Sequence, residues 1–264
     1  MYYPTGARNF FRVIARQDLQ GAAFAVLANR LRLKGVYLVH DAPEGIGKVV
    51  WADSFSRAAA RLGVHIAGTA RHQQDGSDDS LADRVARSGA DGVLIGTVGD
   101  GGLLKALRAR LGRRATIMAG DGFAVIPDTL EDVGRAARDL YVSWDSIVPD
   151  ALDPNPARER FTRDFGDTAH GLYALHAAEA AEVVLQAIAR SDGTRASVLR
   201  EMCATSVNDG LLGRFRFDRH GDMTPAKVMI LRITGSSPPD LRLPRMFQGA
   251  VVDRVVTVPA SLAG

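Results

Sequence analysis

Gly35-Val-Tyr-Leu-Val-His40 is an unbroken apolar run that ends on a polar pair, His40-Asp41, and turns through Glu44-Gly45-Ile46-Gly47. A short continuous apolar run bounded by turn residues is a strand buried on both faces. Lys48 to Leu62 follows with helical periodicity, and the pair repeats downstream. Strands are predicted at Val64 to Ala70, Gly92 to Gly96, Ala115 to Ala119 and Leu140 to Trp144, and helices at Ser80 to Ser88, Gly101 to Leu111 and about Leu130 to Ala137. Upstream, residues 9–14 (Asn-Phe-Phe-Arg-Val-Ile) read as a strand, and Asp18 caps a helix through Leu31. Strands that each feed an amphipathic helix form a parallel sheet covered on both faces, and right-handed crossovers make it a doubly wound α/β layer.

Beyond Trp144 the pattern changes. Pro149, Pro154 and Pro156 mark a crossover, followed by helices at Pro156 to Phe165, His170 to Arg190 and Arg195 to Ala204. In the second of these, Ala174, Ala178, Ala181, Leu185 and Ile188 share one face at helical spacing, which predicts the buried stripe. Cys203, in register with Leu199 and Met202, is expected to be a buried structural thiol. The tail from Ser236 contains Pro238-Pro239, Pro244 and a Val-rich strand at Val251 to Val258.

Composition sets wide bounds. The chain has 264 residues, is 46% hydrophobic but only 6% aromatic, and carries a formal charge of +3. Its core must rely on Ala, Val, Leu and Ile. Charges are mixed: Asp75, Asp78 and Asp79 are acidic, Arg108 to Arg114 basic, and these read as solvated helix faces. No basic stripe with interleaved aromatics is present, so nucleic acid is not an expected partner. One cysteine excludes an internal disulfide and a cysteine metal cluster. No apolar run reaches the length of about 18 residues that a membrane span needs. The start, Met1-Tyr-Tyr-Pro-Thr-Gly-Ala-Arg8, does not read as a signal peptide.

Ligands of an open parallel sheet sit beyond the carboxyl ends of its strands. Three such ends combine glycine with polar residues: His40 to Gly47, Gly96 to Gly102, and Ala119-Gly-Asp121-Gly122. Gly45-x-Gly47-x-x-Val50 lacks the third small residue of a dinucleotide fingerprint, and Gly47-Lys48 lacks the rest of a phosphate loop. The six histidines show no metal-ligand spacing, His40 reads as structural, and no nucleophile elbow occurs. Neither cofactor, metal nor catalytic residue is expected, and the chain does not read as an enzyme. Asp121, between glycines at a strand end, is either a turn residue or a counter-charge for a ligand ammonium.

Taken in order, these segments resemble the substrate-binding proteins of branched-chain amino-acid ABC transporters, the Leu/Ile/Val type of the type I periplasmic binding fold. The carriers are Phe10-Phe11-Arg12 with Asp18-Leu19-Gln20-Gly21, His40-Asp41 with Glu44 to Gly47, Gly120-Asp121-Gly122, and Gly213 to Asp222 with its Phe217-Asp218-x-x-Gly221-Asp222 close. The resemblance implies two lobes that close on a solute about a hinge. Residues 33–150 with 224–235 would form the second lobe, residues 1–32 with 151–223 an incomplete first lobe lacking its N-terminal part, and 236–264 a C-terminal extension. It implies a small ligand, an amino acid or similar polar metabolite, held by Asp121, Glu44, Gly45, Thr97 and Val98. Asp121 falls at the family's ammonium-gripping position. Glu44 replaces the tyrosine of the first turn, and no aromatic stands at Thr97-Val98. Further implied partners are a transporter permease or a chain supplying the missing lobe, and the implied setting is periplasmic or extracellular. The alternatives are a ligand-sensing or interaction module of a larger regulatory protein, and a doubly wound enzyme.

Overall fold

The computed structural model describes residues 9–41, 47–73, 76–97, 99, 101–235 and 243–262. The chain forms two compact units: residues up to 16 with 145–227, and residues 17–144 with 228 onward.

The larger unit begins with α1 (Leu19–Arg30), whose inner positions are almost all Ala, Phe and Leu and are buried. Asp18 precedes α1, but its side chain makes no capping bond. Then come β1 (Val36–His40), α2 (Ser54–Leu62), β2 (Ile66–Arg71), α3 (Asp78–Arg87), β3 (Gly92–Gly96), α4 (Gly101–Leu111), β4 (Thr116–Ala119), α5 (Ile126–Val133) and β5 (Leu140–Trp144). All neighbouring pairs among β1 to β5 are parallel, in the order β5-β4-β3-β1-β2. The doubly wound expectation is met: β3 and β1 are fully buried along their apolar runs because helices cover both faces. Strand order reverses at β1, so the switch point lies between the carboxyl ends of β1 and β3.

The predicted helix from Lys48 starts differently. Gly47–Asp53 is a π-helical turn, and the α-helix begins only at Ser54. α1 packs directly on this segment: a Cβ on Gly21 would stand 2.8 Å from the Phe55 nitrogen and still closer to the Trp51 carbonyl. Only glycine permits that approach. At the other end of the sheet, half-buried Arg108 is no solvated charge. It donates to the carbonyls of Gly112, Ala115, Ala136 and Arg138, which tie the end of α4 to two turns.

The smaller unit holds α6 (Pro156–Phe165), α7 (Ala174–Arg190), α8 (Arg195–Cys203) and an antiparallel sheet of β6 (Ser206–Gly210), β7 (Gly213–Phe217) and β8 (Met223–Thr224). Asn155 caps α6 by accepting from the Ala157 and Arg158 amides. The expected strand at 9–14 reduces to one parallel bridge, Arg12 to Asp222. The Gly213 to Asp222 signature is a structural closure. Asp218 accepts from the His220 and Asp222 amides, and Asp222 pairs with Arg12 and Arg16.

Two expectations fail in this unit. The buried side of α7 is Leu175, His176, Glu179, Val183 and Ala187, whereas Leu185 is 64% and Ile188 48% exposed. Glu179 faces inward because it holds the turn between β6 and β7. Its carboxylate accepts from the Leu212 amide at 2.7 Å, while Arg158 and Lys227 donate to the Leu211 and Leu212 carbonyls at 2.5 and 2.6 Å. Cys203, at the end of α8, is exposed rather than buried, and Met202 takes the inward position.

The chain returns to the larger sheet through β9 (Ala226–Ile233), antiparallel to β5, and β10 (Ala250–Val258), which lies beside β9 at the edge. The tail read as an extension therefore contributes a strand to the sheet. The expected boundary at 32/33 also differs from the contact grouping, which places α1 in the larger unit. The cause is local: α1 packs on α2, on the Gly47–Asp53 turn and on β10.

Candidate functional site

The carboxyl ends of β3 and β4 lie side by side, with Ile95 opposite Ala119 and the Gly120 amide donating to the Ile95 carbonyl at 3.4 Å. The loops beyond them also meet, since a Cβ on Gly99 would stand 3.3 Å from the Gly122 carbonyl. Thr97 and Asp121, both read from the sequence as site residues, thus belong to adjacent strand ends. Thr97 is buried, and its hydroxyl has no hydrogen-bond partner among the described residues. Asp121 is half-buried at the start of a 3-10 turn, Asp121–Phe123. Glu44, Gly45 and Val98 lie outside the described residues. His40, at the end of β1, has Nδ1 2.7 Å from the Asp41 carbonyl, a local strand-end contact as expected.

Three residues that the sequence did not mark as a site complete the surroundings of Asp121. Gln20, fully buried at the start of α1, donates from Nε2 to Asp121 Oδ2 at 3.2 Å. Its Oε1 accepts from the Trp51 indole at 3.3 Å and from the Ser143 hydroxyl at 2.5 Å. Trp51 lies flat against the Gly120 backbone, where a Cβ would overlap its ring. Three segments far apart in sequence therefore converge behind one carboxylate. Only the Asp18 to Gly21 run hinted at Gln20, and nothing local marked Trp51 or Ser143.

Burial raises the pKa of Asp121, and the hydrogen bond from Gln20 opposes that rise. The carboxylate keeps lone pairs beyond the one Gln20 uses, and a ligand N–H donor could meet them. Among the described residues no group of three His, Cys, Asp or Glu could hold a metal ion. Among them, too, no helix is long and apolar enough to cross a membrane.

A family model described as periplasmic binding protein matches residues 4–237. The chain belongs to the periplasmic binding protein family. No curated protein matches the sequence. Among solved structures, a leucine binding protein from Thermotoga maritima superposes with a TM-score of 0.65 at 22% identity, covering 94% of this chain and 67% of its own. A putative branched-chain amino acid ABC transporter from Rhodospirillum rubrum gives 0.66 at 19% identity, covering 84% of this chain and 64% of its own. A solute binding protein of an ABC transporter from R. palustris, in complex with 4-hydroxybenzoate, gives 0.58 at 13% identity, with 93% and 66% covered. The fold is that of these proteins, and the chain spans about two thirds of their length.

Proposed function

We propose that this chain is the solute-binding component of an ABC-type uptake or sensing system, and that its solute is an amino acid or a similar polar metabolite with a cationic nitrogen. The observation that carries the reading is the half-buried Asp121 carboxylate at a strand end beside the topological switch point. A carboxylate in that setting is costly unless a cation or several donors meet it. Thr97 and Val98 on the neighbouring loop, and Glu44 and Gly45 beyond β1, are the proposed remaining contacts. Glu44 adds negative charge where an aromatic wall would suit a leucine side chain, which favours a more polar or cationic solute. The natural partner is a transporter permease, and the setting periplasmic or extracellular, as the family name implies.

The solved relatives carry different ligands, and 4-hydroxybenzoate is an anion. An anion without a cationic nitrogen would meet repulsion from Asp121, so the reading favours the amino-acid class. The test is calorimetry on the full chain with an amino-acid panel and 4-hydroxybenzoate. An amino acid should bind, and Asp121→Asn should weaken it by about 1–3 kcal/mol, the usual worth of a hydrogen bond to a charged group. Equal affinity in the variant, or preference for 4-hydroxybenzoate, would overturn the assignment. The reading assigns binding to this site and no chemical step.

A further inference from the structure

We infer that Gln20 is a positioning residue that holds Asp121 as a hydrogen-bond acceptor and so makes the site select a ligand nitrogen carrying positive charge. The inference rests on the solute-binding reading above and deepens it.

Trp51 decides which way the Gln20 amide is turned. An indole N–H can only donate. It points at the carboxamide of Gln20, so the group it meets must be Oε1. The Ser143 hydroxyl joins it on the same oxygen. A hydroxyl can donate or accept and would not settle the matter alone, but the indole does. With Oε1 taken, Nε2 is the group that faces Asp121. The reverse orientation would set two donors against each other at Trp51 and two acceptors against each other at Asp121, unless Asp121 carried a proton.

The consequence is chemical. An N–H aimed at Oδ2 favours the ionised carboxylate over the protonated acid, which would have to place its proton elsewhere. Burial works in the opposite direction, the Asp121 backbone N–H acts in the same direction as Gln20, and among the described residues no charged side chain contributes to the balance. The described donors that favour the anion in this half-buried site are thus neutral N–H dipoles. A lysine or arginine in place of Gln20 would serve as counter-ion and satisfy the charge internally. A neutral donor brings no counter-charge, and a ligand cation can supply one. Gln20 is fully buried, and Ser143 is too. Trp51 is 2% exposed and pinned against Gly120, so the donor that orients the amide is itself held in place.

The test reads Asp121 directly. Carbon-13 NMR of the full chain labelled at aspartate carboxyls follows its titration, assigned by loss of the signal in Asp121→Asn. In the native protein the side-chain NH2 signal of Gln20 should titrate with the same midpoint as the Asp121 carboxyl. In Gln20→Met, which keeps length and removes the donor, the Asp121 midpoint should rise. Affinity for the amino acid that binds best should fall about tenfold, the loss of one charge-assisted bond. Affinity for the same acid lacking its amino group should not fall. Ser143→Ala should change the titration less than Trp51→Phe, because the indole alone orients the amide.

Independent midpoints for Gln20 and Asp121 in the native protein would overturn the inference even if no variant folds. So would an unmoved midpoint in folded Gln20→Met. The two readings fail separately. If Gln20→Met moves the midpoint but no amine binds the native chain, positioning stands and the solute assignment falls. If an amine binds through Asp121 and Gln20→Met leaves both midpoint and affinity unchanged, the assignment stands and positioning falls.

Discussion

Gly120→Ala should destabilise the larger unit through one contact. At Gly120 the backbone angles are φ −68° and ψ −178°, which any residue adopts, so alanine brings no conformational penalty. The added methyl, however, would stand 2.8 Å from Trp51 Cδ2 and closer to two other ring carbons. Carbon atoms pack at about 3.5–4.0 Å, so the ring must retreat by roughly 1 Å or more. Trp51 is 2% exposed and cannot retreat into solvent. Overpacking of this kind costs about 1–3 kcal/mol. Moving the indole also stretches its bond to Gln20, already 3.3 Å long, and losing that bond adds about 0.5–1.5 kcal/mol. The expected loss is about 1.5–4.5 kcal/mol. Urea denaturation followed by circular dichroism measures it as a lower midpoint at unchanged slope. Gly63→Ala is the control: there φ is +71° and nothing lies within 4 Å, so its cost is conformational alone, about 1 kcal/mol. In a double-mutant cycle, Trp51→Leu should relieve part of the Gly120→Ala cost, because the obstructing ring is gone. A Gly120→Ala loss below about 0.5 kcal/mol, or strict additivity with Trp51→Leu, would refute the claimed contact.

Ile95→Ala, in the middle of β3 with no exposure, should cost about 2–5 kcal/mol in the same assay, and a loss within about 0.5 kcal/mol would mean that the strand is not a core strand. His176 is buried, its Nδ1 has no hydrogen-bond partner among the described residues, and burial lowers its pKa from 6.5 to about 4. Between those values the unfolded chain binds the extra proton, so this contribution is full above pH 6.5 and is lost as pH falls toward 4, by roughly 3 kcal/mol in all. His176→Gln should flatten that pH dependence relative to the native protein, and parallel curves would contradict it. The exposed row of Val184, Leu185 and Ile188 adjoins a groove of about 710 Å³ whose other walls include Phe10, Phe11 and Leu199. The folded chain should therefore bind an apolar dye, and Leu185→Lys with Ile188→Lys should reduce the signal at unchanged thermal stability. No dye binding in the native protein would count against an accessible groove.

The β/α alternation was legible because each strand is a short apolar run and each helix has its own period, both local properties. Asp121 was legible because an acid between glycines at a strand end is conspicuous in one line of text. The face of α7 was misread for a related reason: its exposed side is as apolar as its buried one, and only contact with the β6–β7 turn selects Glu179 for the interior. Cys203 and the edge strand β10 likewise depended on which neighbours were available. The sequence by itself determined the layered α/β architecture and the placing of an acid at one of its strand ends. Tertiary structure alone decided what stands behind that acid. Gln20, Trp51 and Ser143 come from a helix, a π-helical turn and a strand, and their hydrogen bonds exist only once the sheet has brought those elements together. A directional bond between residues separated by up to 123 positions leaves no periodic trace in the chain.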